Sequence, residues 1–377
     1  MFFFFVFTIW AAALTHILYR TKVLVGLRRR SLAVFGVALY LAGFAYIPAR
    51  VMIAKNIAED LAPALSYTTA WFIGVAGILW TLLFIFEIVA ATVWLATRWR
   101  VRNASLRMRR TMAAVLWSAA VVLSLIGCTI ASSTPSVTRL QVTVPGAEAK
   151  RFVLISDSHL GAISSEKQWC RTLKAARELR PDAILIPGDL VDDHSRHTEP
   201  QVALIREFFP GMPVYITTGN HEFYSGVDQF KKLCERLDFR LLRQEVEILA
   251  SGLSVAGVDD RHLIPAHTAV EEIRPKIKGA VLFLTHRPEV AHFLRNRPMT
   301  LVLAGHTHGG QSLPMVFLVG LGNGGFKAGY YKVGDADLYV SRGTGVWGPP
   351  MRLLASPELV LIEVRPGPQF EVKCSPM

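Results

Sequence analysis

Gly305-His306-Thr307-His308-Gly309-Gly310-Gln311 sets two histidines one residue apart, between glycines, after the strand-like run Thr300–Ala304. Two imidazoles so spaced can turn into one crevice while backbone packs closely around them, and a divalent cation suits such a crevice. Taken singly, the pair fits a solvated turn equally well. Four more clusters weigh against that reading. Asp157 and His159 follow Phe152–Ile155, and Asp189 follows Ala183–Ile186 with Asp192 just beyond it. Asn220 and His221 follow Val214–Ile216, and His286 follows Val281–Leu284. Each cluster stands at the end of an apolar run, and each offers oxygen or imidazole donors.

Mixed Asp, Asn and His donors suit Mn²⁺, Fe or Zn²⁺ better than Ca²⁺ or Mg²⁺, which prefer oxygen shells. Two such ions ~3.5–4 Å apart can clamp the attacking and leaving oxygens of a phosphoryl transfer. One carboxylate at a strand end can bridge them. Two carboxylates and a hydroxide would leave the pair of ions at about +1 overall, a trap for a phosphate anion.

The elements that must position these groups alternate between strand and helix. Strands are expected at 138–144, 246–250 and 253–258 besides the runs above, and helices near 165–180, 199–208 and 226–238, the first capped by Ser165. This order argues for α/β architecture with its site at the carboxyl ends of strands, all five clusters at one end of one sheet. Leu338–Val340 and Leu359–Val364 suit a second sheet. The 138–377 stretch is long enough to bury a two-sheet core without disulfides.

The first third of the chain is a different material. The whole chain is 51% hydrophobic with mean hydropathy +0.34 and carries a net charge of +12, too apolar for one soluble domain. Residues 1–132 hold 13 Lys/Arg against 3 acids, whereas 133–377 hold 28 against 26. The basic surplus therefore belongs to loops between apolar spans and argues against nucleic acid as a partner. Spans are expected at about 2–19, 31–49, 68–96 and 111–131, each near the ~20 residues that cross a bilayer. The first begins Met1-Phe2-Phe3-Phe4-Phe5 without a basic flank or cleavage site, which reads as a retained span. Arg20, Lys22 and Arg28–Arg30 follow the first span, and six arginines from Arg98 to Arg110 follow the third. Between the second and third, Arg50 and Lys55 are balanced by Glu59 and Asp60. The positive-inside rule then places the first and third loops in the cytoplasm, and the N-terminus and everything after 132 outside. Residues 133–137 form a short linker. Glu87 and His16 are ionisable groups within spans and so candidates for function, the plainer account being a long, tilted span with the group neutral or paired to a neighbouring helix.

The order Asp-x-His, Gly-Asp-x-x-Asp, Gly-Asn-His-Glu, His, Gly-His-x-His resembles the calcineurin-like metallophosphoesterases over about 138–365. The Gly305–Gln311 stretch, Ser341-Arg342-Gly343-Thr344-Gly345 and Pro349-Pro350-Met351-Arg352 look like the bacterial membrane-associated phosphodiesterase branch. The resemblance implies a four-layer α/β/β/α sandwich, here preceded by four transmembrane helices. It also implies two divalent ions, Mn²⁺ foremost with Zn²⁺ or Fe as alternatives. One ion would be held by Asp157, His159 and His308, the other by Asn220, His286 and His306, with Asp189 bridging. His221 would serve as acid or electrostatic stabiliser, oriented by Asp192, while a bridging hydroxide attacks in line.

The expected activity is hydrolysis of a phosphodiester or pyrophosphate bond, on a membrane-associated lipid phosphate. A phosphomonoesterase or protein phosphatase is the enzymatic alternative, and a non-catalytic phosphate-ligand sensor the other. Seven further features stay open between roles. His194 and His197 fit substrate contact or solvent, and Arg287 and Arg342 fit phosphate contact or ion pairs. Asp259 and Asp260 fit support or turn positions, and the run 314–321 fits core packing or membrane contact. Cys128, Cys170, Cys234 and Cys374 share no metal-ligand spacing.

Overall fold

The computed structural model describes residues 2–376 apart from 56, 59, 99, 195, 250–252 and 261–264, with the side chains of 2–7 and 376 also outside the description. The chain forms two compact units. One comprises residues 1–130 with 312–314 and 348–353, the other 131–311, 315–347 and 354–377. The two short segments that join the helical unit had been expected wholly within the outer domain.

The helical unit contains α1 (Phe2–Thr21), α2 (Arg29–Phe44), α3 (Tyr46–Ala54), α4 (Leu61–Thr97) and α5 (Leu106–Ala131). Arg29–Ala54, Leu61–Thr97 and Leu106–Ala131 are long and apolar enough to cross a membrane, three candidates where four spans were expected. The difference lies at 2–19, where α1 is helical but its first side chains lie outside the described residues. Helices α2 and α3 part at Ala45 because Pro48 has no N–H to give the carbonyl of Phe44. Leu14, Ile17, Leu39, Ile78, Leu79 and Leu83 form the core of this unit, with Met351 and Leu353 among them. Arg109 Nη1 donates to Val23 O at 2.9 Å and Arg110 Nε to Val25 O at 3.1 Å. The first and third basic loops therefore lie at one end of the bundle. Glu87 is paired, with Arg20 donating to it and His16 Nε2 at 3.6 Å, all between α1 and α4.

The second unit begins with β1 (Ser136–Val144), β2 (Lys150–Leu154), α6 (Glu166–Glu178), β3 (Ala183–Ile186), α7 (Thr198–Phe208), β4 (Val214–Ile216), α8 (Asn220–Ser225), α9 (Val227–Arg236) and β5 (Arg240–Leu241). It continues with β6 (Glu245–Ile248), β7 (Leu253–Gly257), α10 (Ala266–Ile273), β8 (Ala280–Leu284), β9 (Thr300–Ala304), α11 (Met315–Leu318), β10 (Gly329–Val333), β11 (Ala336–Val340), β12 (Glu358–Pro366) and β13 (Glu371–Pro376). Ser165 caps α6, its hydroxyl accepting from Gln168 N. One sheet has the order β13-β1-β12-β2-β3-β4-β5 and the other β10-β11-β9-β8-β7-β6.

Period-two alternation makes the layers. Phe152 and Leu154 face a central core shared with Leu282, Leu284, Leu301 and Leu303 of the other sheet. Val153 and Ile155 turn the other way, onto Trp169, Leu173, Val202 and Phe230 of the α6, α7 and α9 helices. Val281, Phe283, Val302 and Ala304 likewise pack outward on Val270 and Ile273 of α10. The result is the expected α/β/β/α sandwich. One expectation needs correcting. The five clusters do not share a sheet, because β2, β3 and β4 belong to one and β8 and β9 to the other. The run 359–364 also changes sheets. It lies in β12, paired parallel to β1 and antiparallel to β2, while 338–340 joins β9 in the second sheet.

Candidate metal centre

Each candidate ligand sits where a buried strand gives out, and the backbone there is bent hard. Asp157, His159, Asp189, His306 and His308 all have φ between 48° and 69°. Such left-handed backbone costs non-glycine residues of order 1–3 kcal/mol and is concentrated at functional sites. Two glycines permit the crowding around them. A Cβ on Gly305 would collide with Ser156 and the Asp157 carboxylate, and one on Gly219 with the Asp189 carboxylate.

The ligand atoms converge from both sheets. His159 Nε2 lies 3.0 Å from His308 Nε2, and the latter 3.6 Å from Asp157 Oδ1. His286 Nε2 lies 3.1 Å from His306 Nδ1 and 3.1 Å from Asp189 Oδ2. His159 Nε2 is 3.7 Å from that same Asp189 oxygen, so Asp189 stands between the two groups. Asp157, His159 and His308, and separately Asp189, His286 and His306, bring their donor atoms within 4.8 Å of one another. Asn220 Oδ1 is buried and without a hydrogen-bond partner. Buried acceptors are ordinarily satisfied, and ring nitrogens facing one another at 3 Å need a proton or a cation between them. The donor set thus fits two divalent ions.

Neighbouring groups fix the ligand orientations. His286 Nδ1 donates to Pro187 O at 3.1 Å, which turns Nε2 towards Asp189. Asp157 Oδ1 accepts the His306 N–H at 2.8 Å, and Asp189 Oδ1 accepts the His221 N–H at 2.9 Å. His221 Nδ1 reaches Asp192 Oδ1 at 2.8 Å, leaving Nε2 as its outward atom. The rings of Tyr224 and Trp347 flank His221, with centroids at 5.4 and 5.9 Å.

A model of calcineurin-like phosphoesterases matches residues 150–310. A "transmembrane protein with metallophosphoesterase domain" from Danio rerio is 30% identical over 317 residues, covering 78% of this chain and 72% of that one. The chain belongs to the calcineurin-like metallophosphoesterase family. A protein of the same description from Bos taurus is 33% identical over 66% of this chain and 61% of its own. An uncharacterized metallophosphoesterase of Campylobacter jejuni is 30% identical over 62% of this chain and 64% of its own. The chain therefore spans less than two thirds of the length of those last two relatives. The transmembrane relatives and the apolar helices together make this metallophosphoesterase a membrane protein.

The electrostatics of the metal-free site follow from burial opposed by charge. For His286, burial lowers the pKa, but the Asp189 and Asp157 carboxylates outweigh it and push it up to about 10. Burial also lowers His221, and Asp189 together with the Asp192 hydrogen bond raises it to about 9. Against its own burial, Asp189 is held well below the usual carboxylate range by His286 and His221. His306 is kept neutral by burial, with His286 and Arg287 adding to the effect.

The residues left open now separate. Arg287 forms a two-point ion pair with Asp260, at 2.6 and 3.1 Å, and its Nη1 lies 2.9 Å from His306 Nε2. Asp259 pairs with Arg243, and Arg342 with Glu358 at 3.0 Å. His194 Nε2 lies 3.0 Å from Gly226 O, and His197 is beside Arg196. Glu222 was missed by the sequence reading. Fully buried, it accepts the N–H groups of Asp189 at 2.9 Å, Val191 at 3.1 Å and Gly219 at 2.7 Å. Its signal was available, since a glutamate three residues after the cap position is the mark of a helix start.

Proposed function

We propose that this protein is a metal-dependent phosphoester hydrolase acting on a phosphodiester or pyrophosphate bond of a lipid-linked substrate. The observation that carries the chemistry is the position of Asp189, in reach of both His159 and His286 with its other oxygen on the His221 N–H. Asp157, His159 and His308 would hold one divalent ion and Asn220, His286 and His306 the other, Asp189 serving both. When bound, the pair supplies a hydroxide nucleophile at neutral pH and offsets the charge of the phosphoryl oxygens. The donor mix favours Mn²⁺, with Zn²⁺ or Fe as substitutes.

His221 acts on the other side of the phosphorus. Its Nδ1 is engaged by Asp192, so Nε2–H is the atom available to a leaving oxygen. In the metal-free site the ring is held protonated at neutral pH; with ions on Asp189, the Asp192 contact at 2.8 Å is the carboxylate left to favour the imidazolium. Asp192 Oδ1 also lies 3.4 Å from His159 Nδ1, so its negative charge is close to both rings.

The lipid part of the reading rests on the chain itself. Helix α5 ends at Ala131 and β1 starts at Ser136, a tether of only ~15 Å at full extension. Basic loops gathered at one end of the bundle favour an extracytoplasmic domain. The test is full-length protein in lipid, assayed on a short soluble phosphodiester and on diesters and pyrophosphates with long acyl chains. Turnover of the acylated substrates should exceed that of their short-chain counterparts. Equal rates would reject the lipid reading, and no metal-dependent turnover of any ester would reject the hydrolase.

A further inference from the structure

The run from Ser312 to Phe326 holds no charged residue, and neither does Gly343–Met351. Ten large apolar side chains outside the helical unit are exposed among the described residues. Six of them fall in or beside these runs: Met315, Phe317, Leu318, Leu321, Trp347 and Leu354. Phe317 is 68% exposed, Leu354 77% and Leu321 85%. A soluble surface disperses such groups among charges, and a concentration of them marks a contact.

What covers them is indicated by the chain on either side. Ser312–Pro314 and Gly348–Leu353 belong to the helical unit. Leu313 packs with its apolar cluster, and a Cβ on Gly77 of α4 would stand 3.0 Å from the Leu313 carbonyl. A Cβ on Gly74 would stand 3.0 Å from Pro349, and one on Gly127 of α5 3.0 Å from Met351. Met315, Trp347 and Leu354 are thus the residues next in sequence to segments seated among membrane-crossing helices. Aromatic and aliphatic side chains without intervening charge are the composition that settles at a headgroup–acyl boundary.

We infer that 315–321, with Trp347 and Leu354, is a lipid-contacting surface whose apolar side chains enter the bilayer that the helices cross. Chain connectivity ties this surface to the metal centre. Gln311 follows His308 by three residues, donates from Nε2 to Trp347 O and accepts the Trp347 N–H, each at 3.0 Å. The first membrane-entering run and the second are therefore held together beside the metal-binding turn.

The test uses full-length protein in phosphatidylcholine vesicles, with a single environment-sensitive fluorophore on a cysteine placed at Phe317 or Leu321 in a background lacking the four native cysteines. A label at Phe293, an exposed apolar position in neither run, is the reference. Labels at 317 and 321 should emit to the blue of the reference and lose intensity to lipids carrying a nitroxide near the headgroup. Emission and quenching equal to those at 293 would overturn the inference. So would protection that grows with protein density in the vesicle, since a second copy would then be the occupant. The Phe317→Ser/Leu321→Ser variant should hydrolyse a soluble diester at the wild-type rate, showing an intact fold. Quenching reads the contact without reference to turnover, so its outcome is separate from that of the lipid-substrate reading.

Discussion

The two sheets bring different chemistry to one seam. From the first come Asp157, His159, Asp189 and Asn220, at the ends of β2, β3 and β4; from the second come only histidines, His286, His306 and His308, after β8 and β9. One wall supplies all the negative charge of the proposed ligand set, and the other supplies imidazoles, His286 held by a carbonyl and His306 by an arginine. The first wall should therefore govern whether cations bind at all, and the second where each one sits. The division also explains the shared contact between walls, since Asp157 accepts the backbone N–H of His306 across the seam.

Asp189→Asn is the largest break in this comparison. It removes the charge that both groups share, and kcat for a soluble diester should fall by ~10³-fold or more, the scale of losing a principal transition-state stabiliser. Activity within tenfold of wild type would show that Asp189 is not shared.

Next in size is His221→Ala, which takes away a group that binds no ion in this account. The rate should fall ~10²–10⁴-fold with metal content unchanged. Asp192→Asn should cost less, about 10–100-fold, because it disturbs orientation and leaves the acid in place. Loss of metal in His221→Ala, or full activity, would reassign the residue.

How much of this was legible in the sequence depended on whether the signal was local. The ends of Phe152–Ile155, Ala183–Ile186 and Val281–Leu284 were readable because apolar runs stop at ligand-type residues. The split between sheets was not readable. Whether Glu358–Pro366 lies in one sheet or the other is decided by its pairing with Ser136–Val144, some 220 residues away, and both sheets ask for the same alternating pattern. The left-handed backbone at Asp157, Asp189 and His308 was hidden for a similar reason. Aspartate and histidine adopt such φ values more often than most residues but still rarely, so their presence alone does not announce it; the surrounding strands and glycines impose it. Arg287 could be read as an ion pair or a phosphate contact, and only the fold puts Asp260 and His306 on either side of it. The segments 312–314 and 348–353 look like ordinary loops until Gly74, Gly77 and Gly127 are seen to make room for them.

A smaller effect sharpens the picture of the second wall. His286 is raised to about 10 in the metal-free protein. An imidazolium so stabilised contributes stability fully present below its unfolded value of 6.5 and lost as pH rises through about 10. A cation must displace that proton, so apparent metal affinity should climb by up to about tenfold per pH unit across that window. Calorimetric titration of the metal-free protein with Mn²⁺ in buffers of differing ionisation enthalpy would register the released proton. Heats independent of the buffer at pH 7.5 would contradict the assignment of His286 as a ligand.

The most direct measurement is the number of divalent ions retained per chain by purified full-length protein and by two single variants, one from each wall. Wild type should hold about two ions, as a bridged pair requires. His286→Ala, from the second wall, should keep about one of them, and Asp189→Asn should keep fewer than one. A wild-type stoichiometry of one, or a His286→Ala protein as depleted as Asp189→Asn, would contradict a centre built from two walls around a shared carboxylate.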